Sequence, residues 1–189
     1  MFVLVENNSI TKTLQSNRGV TIGENQYPQS IYTLWSTAER EAIGIYEVVF
    51  DNTNFKDEKY YNNTNQSFNF ADGVATASYG SATAKELADV TEDGLTTSGL
   101  KTKHKKIIKQ QASGLLTPTD LYNHKALDDD TFTIPANITT YRANVRTRSN
   151  EMEVLIDACS TVDELAASYT YTGDPGSQTR PLGEWPEEV

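Results

Sequence analysis

Apolar and polar positions in the first half of the chain either alternate or cluster in runs of a few residues, the spacing of β-strands. The opening run MFVLVE is followed by Asn7, Asn8 and Ser9 and then by ITKT (10–13), which predicts a small hairpin. Residues 15–30, rich in Asn, Gln, Gly and Ser, predict a loop. Ser36 with Glu39 three positions on has the form of a capping box. Gly44 followed by Ile45 suits the C′ stop of the short helix between them. Residues 45–50 are dense in β-branched and aromatic side chains and predict the best single strand. KYY (59–61) and SFNF (67–70) then alternate, and Asp72-Gly73 turns tightly into residues 74–79. The expectation for residues 45–90 is an antiparallel meander.

The period changes near residue 95. Residues 91–99 predict a polar linker carrying a second Asp-Gly pair, and from Leu100 the pattern is helical. Leu100, Ile107, Ile108 and Leu115 share one face, with lysines at 101, 103, 105, 106 and 109 around the rest. Gly114 falls near the expected end. Pro118 follows, with Thr117 or Thr119 available to cap a short turn, and the Asp triplet at 128–130 predicts a loop. Pro135 opens the longest helix, running to about Cys159. Its Ile138, Tyr141, Val145, Met152, Leu155, Ile156 and Cys159 fall within about a third of the circumference at ~3.6 residues per turn. Thr161 and Glu164 form a second capping box, and the tail from Thr172, with three prolines, predicts irregular chain. Strands followed by helices give an α+β fold: a small antiparallel β-rich N-terminal unit over residues 1–92 and a helical C-terminal unit over residues 93–189.

Composition narrows the function. Six Phe, ten Tyr and two Trp supply a core even at 37% apolar residues. A formal charge of −10 argues against nucleic-acid or anionic-membrane partners, which call for a basic face. No apolar run approaches the ~20 residues of a membrane helix, and the opening lacks the basic flank and cleavage site of a signal peptide, so no export is expected. One cysteine, Cys159, excludes an internal disulfide. Phosphate-cradling glycine loops, nucleophile elbows and zinc-binding motifs are all missing from the sequence. Two histidines and a distant cysteine make a poor metal set, so no catalytic, cofactor or metal residue is expected.

What remains reads as interaction chemistry. His104, in the middle of the apolar arc, reads as an interior or interface histidine, the functional alternative being a pH-responsive contact. The lysine cluster reads as a solvated helix face that pairs with this chain's own acidic surface or an acidic neighbour. The Asp triplet lacks the alternating ligands, turn glycine and distal Glu of a calcium loop. Arg148 sits at the edge of the long helix's apolar arc, as a core-edge ion pair or an intersubunit contact. Arg142 and Arg146 form an i,i+4 stripe on the neighbouring face.

Three blocks resemble a loose family of small tail-fibre and tail-assembly-associated proteins of tailed, especially marine, bacteriophages. The first is MFVLVENNSITK with Tyr27-Pro28 and LWSTAEREAIGIYEV (34–48), including Trp35. The second, GLKTKHKKIIKQQASGLLTPTDLY (99–122), places Leu121 where the family usually has Trp. The third is IPANITTYRANVRTRSNEMEVLIDA (134–158), with Tyr141, Arg142 and Arg146, and the late LGEWPEE (182–188). The resemblance implies a non-enzymatic structural component of the virion tail, at the fibre or baseplate periphery and in the host cytoplasm during assembly. Its partners would be other tail proteins (fibre, baseplate or tail adaptor), in an oligomeric arrangement. The alternative is a cytosolic fibre-assembly chaperone absent from the mature virion; a more distant one is a small hydrolase with unrecognised carboxylates. The expected contact residues are Trp35, His104, Leu121, Tyr141, Arg142, Arg146, Arg148, Trp185 and Pro186. Trp185-Pro186 is expected to dock on a neighbour, because proline limits the entropy lost.

Overall fold

Asn7 and Asn8 both take positive φ (50° and 59°), the two left-handed positions of a type I′ turn, and so fold the opening run back on itself. The computed structural model describes residues 1–188. Strands and helices are both present, strands dominating the first half and helices the second, an α+β fold. The chain divides into two compact units, Met1–Thr83 and Ala84–Val189.

In the first unit, β1 (Phe2–Glu6) pairs antiparallel with β2 (Ser9–Leu14), with a bulge between Leu4 and Val5. The expected loop at 15–30 instead holds a second hairpin, β3 (Val20–Ile22) and β4 (Asn25–Tyr27). Gly23 occupies its turn at φ +58°, which a polar reading of the segment overlooks. Helices α1 (Ile31–Leu34) and α2 (Thr37–Glu41) follow, α2 opened by the predicted capping box: Ser36 Oγ accepts from Glu39 N, and Glu39 accepts from Ser36 N at 2.7 Å. Then come β5 (Ile45–Asp51), β6 (Tyr61–Asn62), β7 (Ser67–Ala71), β8 (Val74–Ser78) and β9 (Thr83–Ala84). Only Tyr61 of the expected 59–61 strand lies in a strand.

The main sheet has five strands in the order β2-β1-β5-β8-β7, and its edge strands β2 and β7 curl toward each other. The antiparallel meander is corrected here, because β5 and β8 run parallel. Residues 52–66 provide the long connection a parallel pair needs, and the β7–β8 hairpin enters with β8 inside. Side-chain size explains the choice. Ala75 and Ala77 of β8 pack against Val3 and Val48 in the tight interior of the curl, while Phe68 and Phe70 of β7 stay half-buried. Val3 faces that interior; Phe2 and Leu4 face the opposite cluster of Leu14, Val20, Ile31, Tyr32 and Ile45. Both faces of β1 are covered, which is why MFVLVE is a run and not an alternation.

The second unit opens with a correction of the same kind. Residues 91–99 are no linker: β10 (Val90–Glu92) and β11 (Leu95–Thr97) pair through Asp93-Gly94, both at positive φ. The preceding residues belong to this unit because they close the start of α3 (Leu100–Leu116). Leu100 N and Lys101 N donate to the carbonyls of Glu86 and Leu87, and Gly99 N donates to Asp89 Oδ1 at 2.8 Å. Those amides have no helical partner of their own. Gly99 lies so close to this segment that a Cβ would come 2.2 Å from Ala88 O.

Helix α3 passes Gly114 and ends at Leu116, followed by a 3₁₀ turn, Thr117–Thr119. In place of the short turn alone, α4 (Asp120–Asp128) comes next, taking in the first Asp of the triplet. Helix α5 (Ala136–Ala158) and α6 (Val162–Ser168) match the expected long helix and second capping box. The buried stripe of α3 is Leu100, His104, Ile108 and Ala112, an i,i+4 row. Ile107 (41% exposed) and, on α5, Leu155 (39%) fall outside the packed faces, contrary to the expected arcs.

Two glycines make a matched test of crowding. Gly44, two residues past the α2 cap and so one beyond the expected C′ position, has φ +82°, and a Cβ there would sit 2.7 Å from Val5 O. Its own carbonyl accepts from Val5 N at 2.8 Å, tying the α2 exit to β1. Gly73 has φ +79° but open space around it. Gly73→Ala should cost about 1–2 kcal/mol, the left-handed penalty alone, and Gly44→Ala about 3 kcal/mol or more. Equal shifts in urea midpoint for the two variants would refute the crowding argument.

Asp89 gives a pH test. The backbone hydrogen bond from Gly99, then the Thr102 hydroxyl, holds its carboxyl below the ordinary Asp range. A depressed folded pKa means the contribution is complete above the unfolded value and is lost as pH falls through the lower folded value. Protection of the Gly99, Leu100 and Lys101 amides, measured relative to the intrinsic exchange rate at each pH, should therefore fall in acid. In Asp89→Asn exchange should already be fast at neutral pH, and unchanged protection in that variant would count against the capping role.

Candidate functional site

Helices α3 and α5 run antiparallel, zipped along one side by charge. Lys105 Nζ lies 2.8 Å from Asp157 Oδ1 and Lys109 Nζ 3.2 Å from Glu153 Oε2. Lys101 Nζ donates to the backbone carbonyl of Asp157 at 2.8 Å, where the last turn of α5 leaves acceptors unfilled. Two lysines of the cluster thus pair with this chain's own acidic side chains, one of the readings the sequence allowed, and a third holds a backbone carbonyl.

At the other end of the pair lies Arg142. The helical stripe placed it on a neighbouring polar face; it is instead 7% exposed and belongs to the buried row of α5. Its guanidinium reaches Asp120 Oδ1 at 2.8 Å, Leu116 O at 2.9 Å and Thr119 Oγ1 at 2.6 Å. One planar cation therefore shares the last carbonyl of α3 with the Thr119 hydroxyl, braces the 3₁₀ corner and pairs with the acid in the first turn of α4. Tyr141 beside it sends its hydroxyl to Leu115 O at 3.4 Å, and burial pushes that phenol above its ordinary range.

The C-terminal tail closes over the same joint. Trp185 packs with Ala112, Tyr141 and Val145, and its Nε1 donates to Gln111 Oε1 at 3.3 Å. Arg148 holds the chain leading there, donating to Glu184 O at 3.0 Å and to Leu182 O, while pairing with Glu151 at 2.8 Å. Gly183, at φ +72°, lies where any Cβ would meet the Arg148 guanidinium. Trp185 is thus engaged within its own chain while remaining half-buried. Arg148 fits the core-edge reading.

Of the remaining expected contact residues, Arg146 lines a polar groove of about 470 Å³ beside the joint, with Ser113, Asn150 and Glu153. Pro186 is half-buried next to Trp185, and Leu121 is 47% exposed on α4. His104 is an interior histidine, 3% exposed, its ring 4.9 Å from that of Tyr169. Trp35 belongs to the first unit, edge-on to Tyr27 at 5.8 Å, with its carbonyl accepting from Arg40. Tyr141, Arg142, Arg148 and Trp185 thus come together, while Trp35, His104 and Leu121 lie elsewhere. Asp120 and Gln111 are members that the sequence pattern did not mark, and Thr119, expected only as a cap, joins them; an acid opening a helix two residues after Pro118 was the available signal for Asp120.

Among the described residues no group of three or more His, Cys, Asp or Glu could hold a metal, and no helix is long and apolar enough to cross a membrane. Comparison of the chain with protein-family profiles, with curated proteins and with solved structures gives no match.

Arg142→Ala strips a buried cation from three acceptors and should cost about 3–5 kcal/mol. Asp120→Asn touches a partner that is 45% exposed and should cost about 1 kcal/mol or less. Urea denaturation of the full chain followed at 222 nm separates the two. Losses of similar size would show that the ion pair, and not the capping of the α3 end, dominates.

Proposed function

We propose that this chain is a non-enzymatic structural component of a bacteriophage tail, associated with the fibre or baseplate periphery. The reading starts from the three blocks that resemble tail-associated proteins, and one observation supports its architectural character. The second block's Thr119 and Asp120 and the third block's Tyr141, Arg142 and Trp185 meet in a single intramolecular joint. Each of their polar groups is used to fasten helix ends and tail. Motif residues spent on fastening suit a scaffold, whereas a catalytic centre needs groups left available to a reactant.

With Trp185 turned inward, the contact to neighbouring tail proteins moves to the outer face of α5. Val154 is 68% exposed and lies beside Leu155, Thr147 and Glu151 on a shallow apolar surface. Large apolar side chains grouped on a helix face are characteristic of protein contacts.

Quantitative mass spectrometry of purified virions tests the proposal. Copies in fixed stoichiometry with a tail protein are expected, and Val154→Asp should leave the fold intact while lowering incorporation. Absence from particles, with the protein abundant in the infected cytosol, would overturn the structural reading in favour of the assembly chaperone.

A further inference from the structure

A second feature stands apart from the α-helical joint and from the proposed tail role. Where β2 runs into β3 the first unit has a concave surface of about 310 Å³, lined by Lys12, Thr13, Gln15, Arg18, Thr21 and Tyr32 among others. No acidic residue lines it, in a chain carrying 26 acids against 16 bases. Of the five basic residues in the first unit, Arg40 is buried beside Glu47 and Phe2, and Lys56 and Lys59 lie over the rings of Tyr61 and Tyr60. The other two, Lys12 and Arg18, are both exposed and both line this one concavity.

The surroundings favour one ligand chemistry. Tyr32, buried at 6% exposure, lines the concavity together with Arg18, and burial raises its phenol while the Arg18 charge opposes the shift. The turn is held in place by Gly19, whose added Cβ would come 2.5 Å from Tyr27 O. One amide of the turn is committed, since Arg18 N donates to Gln15 O at 3.4 Å. A phosphate site draws on free backbone amides or a helix N-terminus, and this concavity offers side chains instead. An Arg fork with a neighbouring Lys matches a carboxylate, and Thr13, Gln15 and Thr21 supply donors and acceptors for hydroxyl groups. The volume is at the small end of ligand sites, enough for one monosaccharide-sized group.

We propose that this concavity is a binding site for a small hydroxylated carboxylate, of the chemical class of a uronic acid, with the carboxylate on Arg18 and Lys12.

The test is a titration of the ¹⁵N-labelled full chain with sodium D-glucuronate, D-glucose and sodium phosphate at matched ionic strength. Glucuronate should give saturable shifts confined to residues 12–21 and Tyr32, and glucose none. Arg18→Gln and Lys12→Gln, both at exposed positions, should keep the remaining spectrum and each weaken binding about tenfold, the loss of one charge-assisted contact. No saturable shift with glucuronate overturns the proposal, as does unchanged, wild-type affinity in both variants. Saturation by phosphate with glucuronate inert would overturn the carboxylate assignment.

Discussion

Leu116 ends α3 with a backbone carbonyl on which two donors converge, the Thr119 hydroxyl at 2.8 Å and the guanidinium of Arg142 from the neighbouring helix at 2.9 Å. Much of the second unit follows from that one contact. Because the same cation also holds Thr119 and Asp120, the chain must turn at the 3₁₀ corner and restart as α4 at a fixed place. Because Arg142 sits in the buried row of α5, the register of α5 against α3 is set there, and the lysine pairs at the other end fall into line. A buried cation of this kind stabilises only when its hydrogen-bonding sites are filled. Here a backbone carbonyl, a hydroxyl and a carboxylate at the α3–α4 corner fill them, so satisfying the cation and holding the corner are one arrangement.

The same economy recurs wherever elements meet. Residues 86–89 satisfy the opening amides of α3, the capping boxes at Ser36 and Thr161 satisfy those of α2 and α6, and Lys101 closes the end of α5. The chain has a modest apolar fraction, and hydrophobic burial alone leaves a small domain marginal. Short elements with unfilled ends would add a further penalty. Close backbone approaches serve the same purpose: Gly44 against β1 and Gly99 against Ala88 let polar main chain meet main chain at distances no side chain permits.

Local chemistry made much of this legible in the sequence. Both capping boxes, the Asn7-Asn8 and Asp72-Gly73 turns and the long helix from Pro135 depend on residues a few positions apart. The second Asp-Gly carried the same signal, but its flanks, Val90 to Glu92 and Leu95 to Thr97, are too short and polar for alternation to show. The parallel β5–β8 pair was illegible for a different reason: it depends on the small Ala75 and Ala77 fitting beside Val48 inside a curl that exists only once β1 is in place. Arg142 combined both difficulties. Its helical position marked a polar stripe, and only the tertiary position of the α3 end turned that position into an interior one. Trp185 was legible as an anchor, but not that Gln111 and Val145 of its own chain are what it anchors on.

Charge placement separates the parts of the surface that fasten from those that remain available. In a chain with ten more acids than bases, a cation placed at random finds a carboxylate nearby. Most basic residues with a structural role do: Arg142 with Asp120, Arg148 with Glu151, Arg180 with Glu184, Lys105 with Asp157 and Lys109 with Glu153. Lys12 and Arg18 break that pattern by sharing a concavity that no acid lines. Nothing about closing the β2–β3 turn requires either charge, since its bond from Arg18 N to Gln15 O is made by backbone atoms and Gly19 contributes only room for the close approach to Tyr27 O. An anion entering there would supply the counter-charge that carboxylates of the chain supply elsewhere, so the arrangement is better matched to an occupied concavity than to an empty one.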